Sequence, residues 1–128
     1  MKKILFLITI SYSLLFSAEL TWEKSYKDAS KKAMEDNKTI MLMLSSINCH
    51  ACDYMKNGPL KDEKIASFIS KNHVAVEVEI YKDDYPRKFD SPGTPTFFFI
   101  NPNTDEKIGK EIIGGSNEKT FLKELKAI

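Results

Sequence analysis

The sequence predicts an α/β layer protein, a central mixed sheet flanked by helices on both faces. Three observations carry this expectation. Helix-like and strand-like segments alternate along the chain. Thr39 to Leu44, TIMLML, is apolar without a break, as in a strand covered on both sides. The last two strand-like segments are separated only by a turn, which implies an antiparallel hairpin inside the sheet. The length of 128 residues fits one core and leaves no room for a second domain. Hydrophobic and charged fractions of 42% and 29% are those of an ordinary globular chain, so wholesale disorder is not expected.

The first residues differ in kind. Met1-Lys2-Lys3 is a short basic region, Ile4 to Phe16 is almost wholly apolar, and Ser17-Ala18-Glu19 returns to small and charged residues. Residues 1–18 therefore read as a secretory signal peptide ahead of a domain over 19–128. The apolar run is shorter than the roughly 20 residues that span a bilayer as a helix. Ala18 suits the position before a cut, while bulky Phe16 leaves an uncleaved anchor as the alternative. Loss of Lys2 and Lys3 with the leader lowers Lys+Arg from 19 to 17 against 18 Asp+Glu, turning the formal charge from +1 to -1. Nothing basic then argues for nucleic acid or anionic lipid. A periplasmic or otherwise exported location permits disulfides.

Trp22, Tyr26, Ala29 and Ala33 recur at helical spacing, so Thr21 to Asn37 is expected as an amphipathic helix capped by Thr21. The TIMLML strand follows, then a turn over 45–48 and a helix with Cys49 near its start. Asn57-Gly58-Pro59 interrupts that helix, and Asp62 can cap another, with Ile65, Ala66, Phe68 and Ile69 inward. His73 to Ile80 alternates valines with Glu77 and Glu79, a strand with one more polar face. Lys82 to Asp90 is charged and expected as a short helix or a wet loop. Thr96 to Ile100 and Lys107 to Ile113 are the late strands, joined by Asn101-Pro102-Asn103. A last helix carries Phe121, Leu122, Leu125 and Ile128, with Ser116 or Asn117 as its cap.

The chemistry concentrates in Cys49-His50-Ala51-Cys52, which holds the only two cysteines. A structural zinc site wants four ligands and a catalytic one three, while the chain adds only His50, His73 and at most Asp53. A c-type haem site needs histidine directly after the second cysteine, where Asp53 stands. A bridge between residues three apart closes too small a loop to staple a fold. The redox reading needs least. A helix start favours an anion, which makes Cys49 the attacking thiolate, and Cys52, one turn inward, resolves the mixed disulfide. His50 either adds positive charge beside the thiolate, raising the reduction potential, or simply stands exposed on the first turn.

The chain resembles the thioredoxin superfamily, specifically its small exported members, over everything after the leader. The resemblance rests on the apolar strand running into Cys49-His50-Ala51-Cys52, on Gly93-Thr94-Pro95-Thr96 opening a later strand, and on Gly114 ahead of the last helix. It implies a thioredoxin-like fold, with Pro95 as a cis-proline facing the cysteines. The backbone at Thr94 is then free to pair with an extended substrate segment. It also implies that Thr94 tunes the site, since threonine there is more typical of reducing and isomerising members than of strong oxidants. Two departures stand out. Asn48 replaces the family's tryptophan before the first cysteine, and Met43 occupies the position of its buried acid. Glu77 or Glu79 could supply the proton role instead, or be solvated. Phe97, Phe98 and Phe99 read as core, as do Trp22 and Tyr26, whereas Tyr54 and Met55 either edge the site and grip clients or pack inward.

The expected function is a thiol-disulfide oxidoreductase acting on protein cysteines or disulfides through Cys49, as reductase or isomerase, with no cofactor. The resemblance implies a membrane-bound redox partner. Two alternatives are a soft-metal protein holding Cu(I) on Cys49 and Cys52, and a client-binding module built around Pro95 without turnover.

Overall fold

The apolar run does lie in the middle of a sheet. The computed structural model describes residues 19–128; the expected leader lies outside the described residues. Strands β1 (Trp22–Glu23), β2 (Thr39–Ser45), β3 (His73–Glu79), β4 (Thr96–Asn101), β5 (Glu106–Lys107) and β6 (Ile112–Ile113) form one mixed sheet in the order β1-β3-β2-β4-β5, with β6 also on β4. β3 runs parallel to both β1 and β2, and β4 runs antiparallel to β2.

Strand alternation sends side chains to two separate cores. Ile40, Leu42 and Leu44 of β2 meet Val74, Val76 and Val78 of β3 beneath helix α1 (Tyr26–Asp36). Met41 and Met43 face the other way, with Phe97 and Phe99. There they are covered by α2 (His50–Asn57), α3 (Glu63–Asn72) and α4 (Glu118–Lys126). Phe97 and Phe99 are fully buried and Phe98 nearly so, on opposite faces, as consecutive aromatics in a central strand should be.

Three local expectations need correction, and one open alternative is decided. The first helix begins at Tyr26, not Thr21: Ser25 is extended and its Oγ accepts from the Asp28 N–H at 3.0 Å. Trp22 instead pairs with Ala75 in β1 and packs on the core opposite to that of Tyr26. The spacing that linked the two aromatics is thus a coincidence of a strand abutting a helix. The last strand is split. Three steps along β4, from Phe97 to Ile100, match five along the partner, from Ile112 back to Lys107. The extra residues bulge out around Gly109, whose φ of +65° suits a residue without a Cβ. The 82–90 segment is not merely wet. Its single 3-10 turn, Arg87–Phe89, helps bury Tyr85 and Phe89 in the α1-side core, and the Arg87 guanidinium lies 4.3 Å from the Tyr85 ring centre. Met55 is fully buried in the α2-side core, so of the Tyr54 and Met55 pair only Tyr54 is exposed.

The elements around the cysteines end as their residues dictate. Asn117 caps α4 by accepting from Thr120 N–H, and Asp62 caps α3 by accepting from Ile65 N–H. The second helix stops at Gly58 and continues as a 3-10 turn over Pro59–Lys61.

Candidate functional site

β2 ends at Ser45, and Ser46, Ile47 and Asn48 carry the chain from the sheet to Cys49, just ahead of α2. Asn48 makes the turn with φ of 59°, a left-handed conformation that asparagine tolerates better than most side chains. A tryptophan there would carry the full steric penalty, so the departure at this position matches the backbone path.

Cys49 is the N-cap of α2. Its Sγ accepts from the Cys52 N–H at 3.1 Å, taking the place of the oxygen that usually caps a helix. Cys49 and Cys52 form a disulfide with their Cα atoms 5.2 Å apart. The two sulfurs are inequivalent: Cys49 is partly exposed, while Cys52 is 1% exposed in the core with Met43, Met55 and Phe97. A sulfur that an outside thiol can reach is therefore paired with one that it cannot. His50 is exposed, and among the described residues neither sulfur accepts a hydrogen bond from it.

The Thr94–Pro95 segment, which leads into the neighbouring strand β4, comes to the same place. Its peptide bond is cis and Pro95 is buried. Thr94 Oγ1 lies 3.5 Å from Cys49 Sγ and 2.7 Å from Ser46 Oγ. The carbonyl of Pro95 accepts from the Gly114 N–H at 2.8 Å, which ties the loop to the start of the last helix segment. Gly114 has φ of +83°, a conformation that a side chain would strain. Tyr54 is 50% exposed on α2, and both it and Ala51 lie against Gly115. Tyr54 thus leaves apolar surface one turn along the helix from the cysteines, with Ile47, 77% exposed, adding more in the loop before them.

Below the cysteines, the register places Glu77 beside Met43. Glu77 Oε1 accepts from Ser45 Oγ and from Lys56 Nζ, each at 3.0 Å. Lys56 follows Cys52 by one helical turn, so this carboxylate is tied to the face of α2 that carries the resolving cysteine. Glu79 is engaged elsewhere, accepting from Tyr81 N–H in its own turn. The two glutamates that the sequence left equivalent are separated by their partners.

His73 is not near the cysteine motif in role. It is 7% exposed at the start of β3, bonded through Nδ1 to the Thr39 hydroxyl. Among the described residues no group of three or more His, Cys, Asp or Glu side chains is arranged to hold a metal ion. A cleft of about 710 Å³ along α2 is lined by Trp22, Asp53, Lys56 and Leu60 among others, with neither cysteine in its wall. What sequence reasoning missed here is Ser46, because its partner Thr94 is 48 positions away and nothing local marks the pair.

A family model described as a thioredoxin-like domain matches residues 26–128. No curated protein matches the chain. Among solved structures, the chain is similar to a thioredoxin from Thermus thermophilus, with 28% identity and a TM-score of 0.71 over 84% of this chain and 85% of that one. It is similar to the DsbH oxidoreductase at 22% identity and a TM-score of 0.67, over 86% and 84% of the two chains. The C-terminal domain of Neisseria meningitidis DsbD in its oxidised form gives 15% identity and a TM-score of 0.60, over 78% and 90%. The latter two likenesses are of fold.

Proposed function

The chain belongs to the thioredoxin-like domain family, and from that premise we propose that it is an exported thiol-disulfide oxidoreductase that reduces or isomerises disulfides of protein clients. The observation that carries the proposal is the asymmetry of the pair: Cys49 caps a helix and is partly exposed, and Cys52 is buried one turn inward.

The chemistry follows from that asymmetry. In the reduced protein the Cys49 thiolate attacks one sulfur of a client disulfide. A Cys49–client bond forms, the client bond breaks, and the first client sulfur leaves as a thiolate. Cys52 then loses its proton and attacks Cys49 Sγ, forming the Cys49–Cys52 disulfide and releasing the second client thiolate. Two electrons pass to the client, and the described molecule is the oxidised product of that step. Repeated turnover needs a dithiol donor, for which a membrane-bound redox partner is the fitting class in an oxidising compartment.

Thr94 and Pro95 would present backbone to an extended client segment, with Tyr54 giving apolar contact at the edge. The similarity to a thioredoxin supports this reading. Threonine at position 94 is, by resemblance, the residue of reducing and isomerising members, whereas its hydroxyl 3.5 Å from Cys49 Sγ, like His50 at the first turn of α2, favours the thiolate and so moderates the reducing power.

The reduction potential of the pair, from equilibration with glutathione or dithiothreitol, decides the direction. We expect a value nearer the roughly -270 mV of reducing thioredoxins than the roughly -120 mV of strong oxidants. A value at the oxidising end refutes the reductase assignment, and its return towards the reducing end in His50→Ala would identify the histidine as the cause. Failure of Cys52→Ser to accumulate a mixed disulfide with a client would refute the division of roles.

A further inference from the structure

We infer that Ser46 is a positioning residue for the nucleophile, acting through Thr94: its hydroxyl donates to Thr94 Oγ1, and Thr94 donates to Cys49 Sγ. The inference deepens the proposed function, since it rests on Cys49 being the attacking thiolate. The distances are 2.7 Å between the hydroxyls and 3.5 Å from Thr94 Oγ1 to the sulfur.

The direction of the relay follows from counting protons. Each hydroxyl carries one proton and can accept as well. In the disulfide either hydroxyl can donate to the other, because the sulfur makes only a weak demand. A thiolate accepts and cannot donate, so on reduction and ionisation Thr94 is drawn to turn its proton to Cys49 Sγ. Its oxygen is then free to accept, and the hydroxyl in reach is that of Ser46. Ionisation of Cys49 therefore aligns both hydroxyls towards the sulfur. In a partly buried site, each bond in such a chain polarises the next and makes Thr94 a stronger donor.

The three groups come from separate parts of the fold. Ser46 directly follows β2, Thr94 precedes the buried Pro95, and Cys49 caps α2, so three separate elements hold the three atoms. The second donor to Cys49 Sγ is the Cys52 N–H at 3.1 Å, and it belongs to the helix itself. The relay adds a donor from outside the helix, on the sheet side. Its effect is selective for the reduced, ionised state, so it lowers the Cys49 pKa and shifts the equilibrium towards the reduced protein.

The test compares wild type, Ser46→Ala, Ser46→Thr, Thr94→Val and the Ser46→Ala/Thr94→Val double variant. Cys49 is titrated by alkylation rate against pH, and the pair is equilibrated with glutathione. Ser46→Ala should raise the Cys49 pKa and shift the glutathione equilibrium towards the disulfide by about three- to tenfold, the size of one modest hydrogen bond. Thr94→Val should do at least as much, and the double variant no more than Thr94→Val alone, because the serine acts only through the threonine. Ser46→Thr should restore the wild-type titration. A Ser46→Ala effect that persists in full beside Thr94→Val overturns the relay, as does an unmoved titration. A wild-type Cys49 that titrates like an ordinary thiol overturns the catalytic reading, and the relay with it. A depressed wild-type titration that Ser46→Ala leaves in place overturns the relay alone.

Discussion

His73 shows how much one buried side chain can couple this molecule to pH. Its ring lies 5.0 Å from that of Phe99 and 6.3 Å from that of Phe68, and its Nδ1 is bonded to the Thr39 hydroxyl. Burial lowers its pKa from 6.5 to about 4. The unfolded chain therefore takes up a proton below about pH 6.5 that the folded protein refuses until about pH 4. Stability from this group is complete above the unfolded value, declines as pH falls through that window, and is gone below about 4. The loss amounts to about 3 kcal/mol at most. Urea unfolding of wild type and His73→Phe at intervals from pH 7 to pH 4 should show the wild type losing stability faster. Parallel curves would mean that His73 is hydrated and titrates normally. Tyr26 is the counterpart on the other core. Burial and the neighbouring Asp105 carboxylate hold its phenol neutral well above the usual range, so it adds no pH dependence near neutrality.

At the scale of elements, Lys56 and Glu77 join α2 to β3 one helical turn beyond Cys52. Lys56 Nζ and Glu77 Oε1 are 3.0 Å apart, with side chains 35% and 28% exposed, so the pair by itself adds well under about 1 kcal/mol of stability. The pair also holds a carboxylate beside Met43, and we propose that this carboxylate accepts the proton that Cys52 loses. Glu77→Gln should slow release of the Cys49 mixed disulfide by about tenfold or more, as loss of a proton acceptor does. It should leave the thermal midpoint within a few degrees. Quenched-flow measurement of the mixed disulfide with a model client checks both halves; an unchanged release rate would assign Glu77 a purely structural role. The elements themselves were unevenly legible. β2, α3 and α4 announced themselves through unbroken apolarity, an aspartate cap and helical spacing. The β1–α1 boundary did not, because a two-residue strand has no period to read and its pairing with Ala75 and Val76 is remote in sequence. The β5–β6 bulge was hidden for the same reason: a register change is a property of two strands.

At the scale of the whole molecule, the described residues form one sheet with a core on each face, and the segment proposed as a leader stands outside them. No helix among the described residues is long and apolar enough to cross a membrane. If residues 1–18 are a cleaved signal, intact-mass analysis of the exported protein should find a chain beginning at Glu19, with the cysteines oxidised in the absence of reductant. A chain retaining Met1 would instead support the uncleaved anchor. The 19–128 domain made alone should match the exported protein in thermal midpoint and reduction potential, because residues 19–128 supply a core on each face of the sheet.

The sequence by itself determined the layer architecture, the two-sided central strand and the cysteine pair at a helix start, while the link between that pair and the Thr94–Pro95 segment came through the family resemblance. The first three are written in local periodicity, in turn chemistry and in residue types with few alternative uses. Only the tertiary structure decided which glutamate stands beside Met43, that Tyr85 joins Tyr26 in the core, that Met55 is buried while Tyr54 is exposed, and that Ser46 reaches Thr94. Each of those depends on strand register or on loops meeting across the sheet. The physical reason is that short-range pattern encodes which face a residue occupies, while the identity of its neighbour follows from how separate segments align.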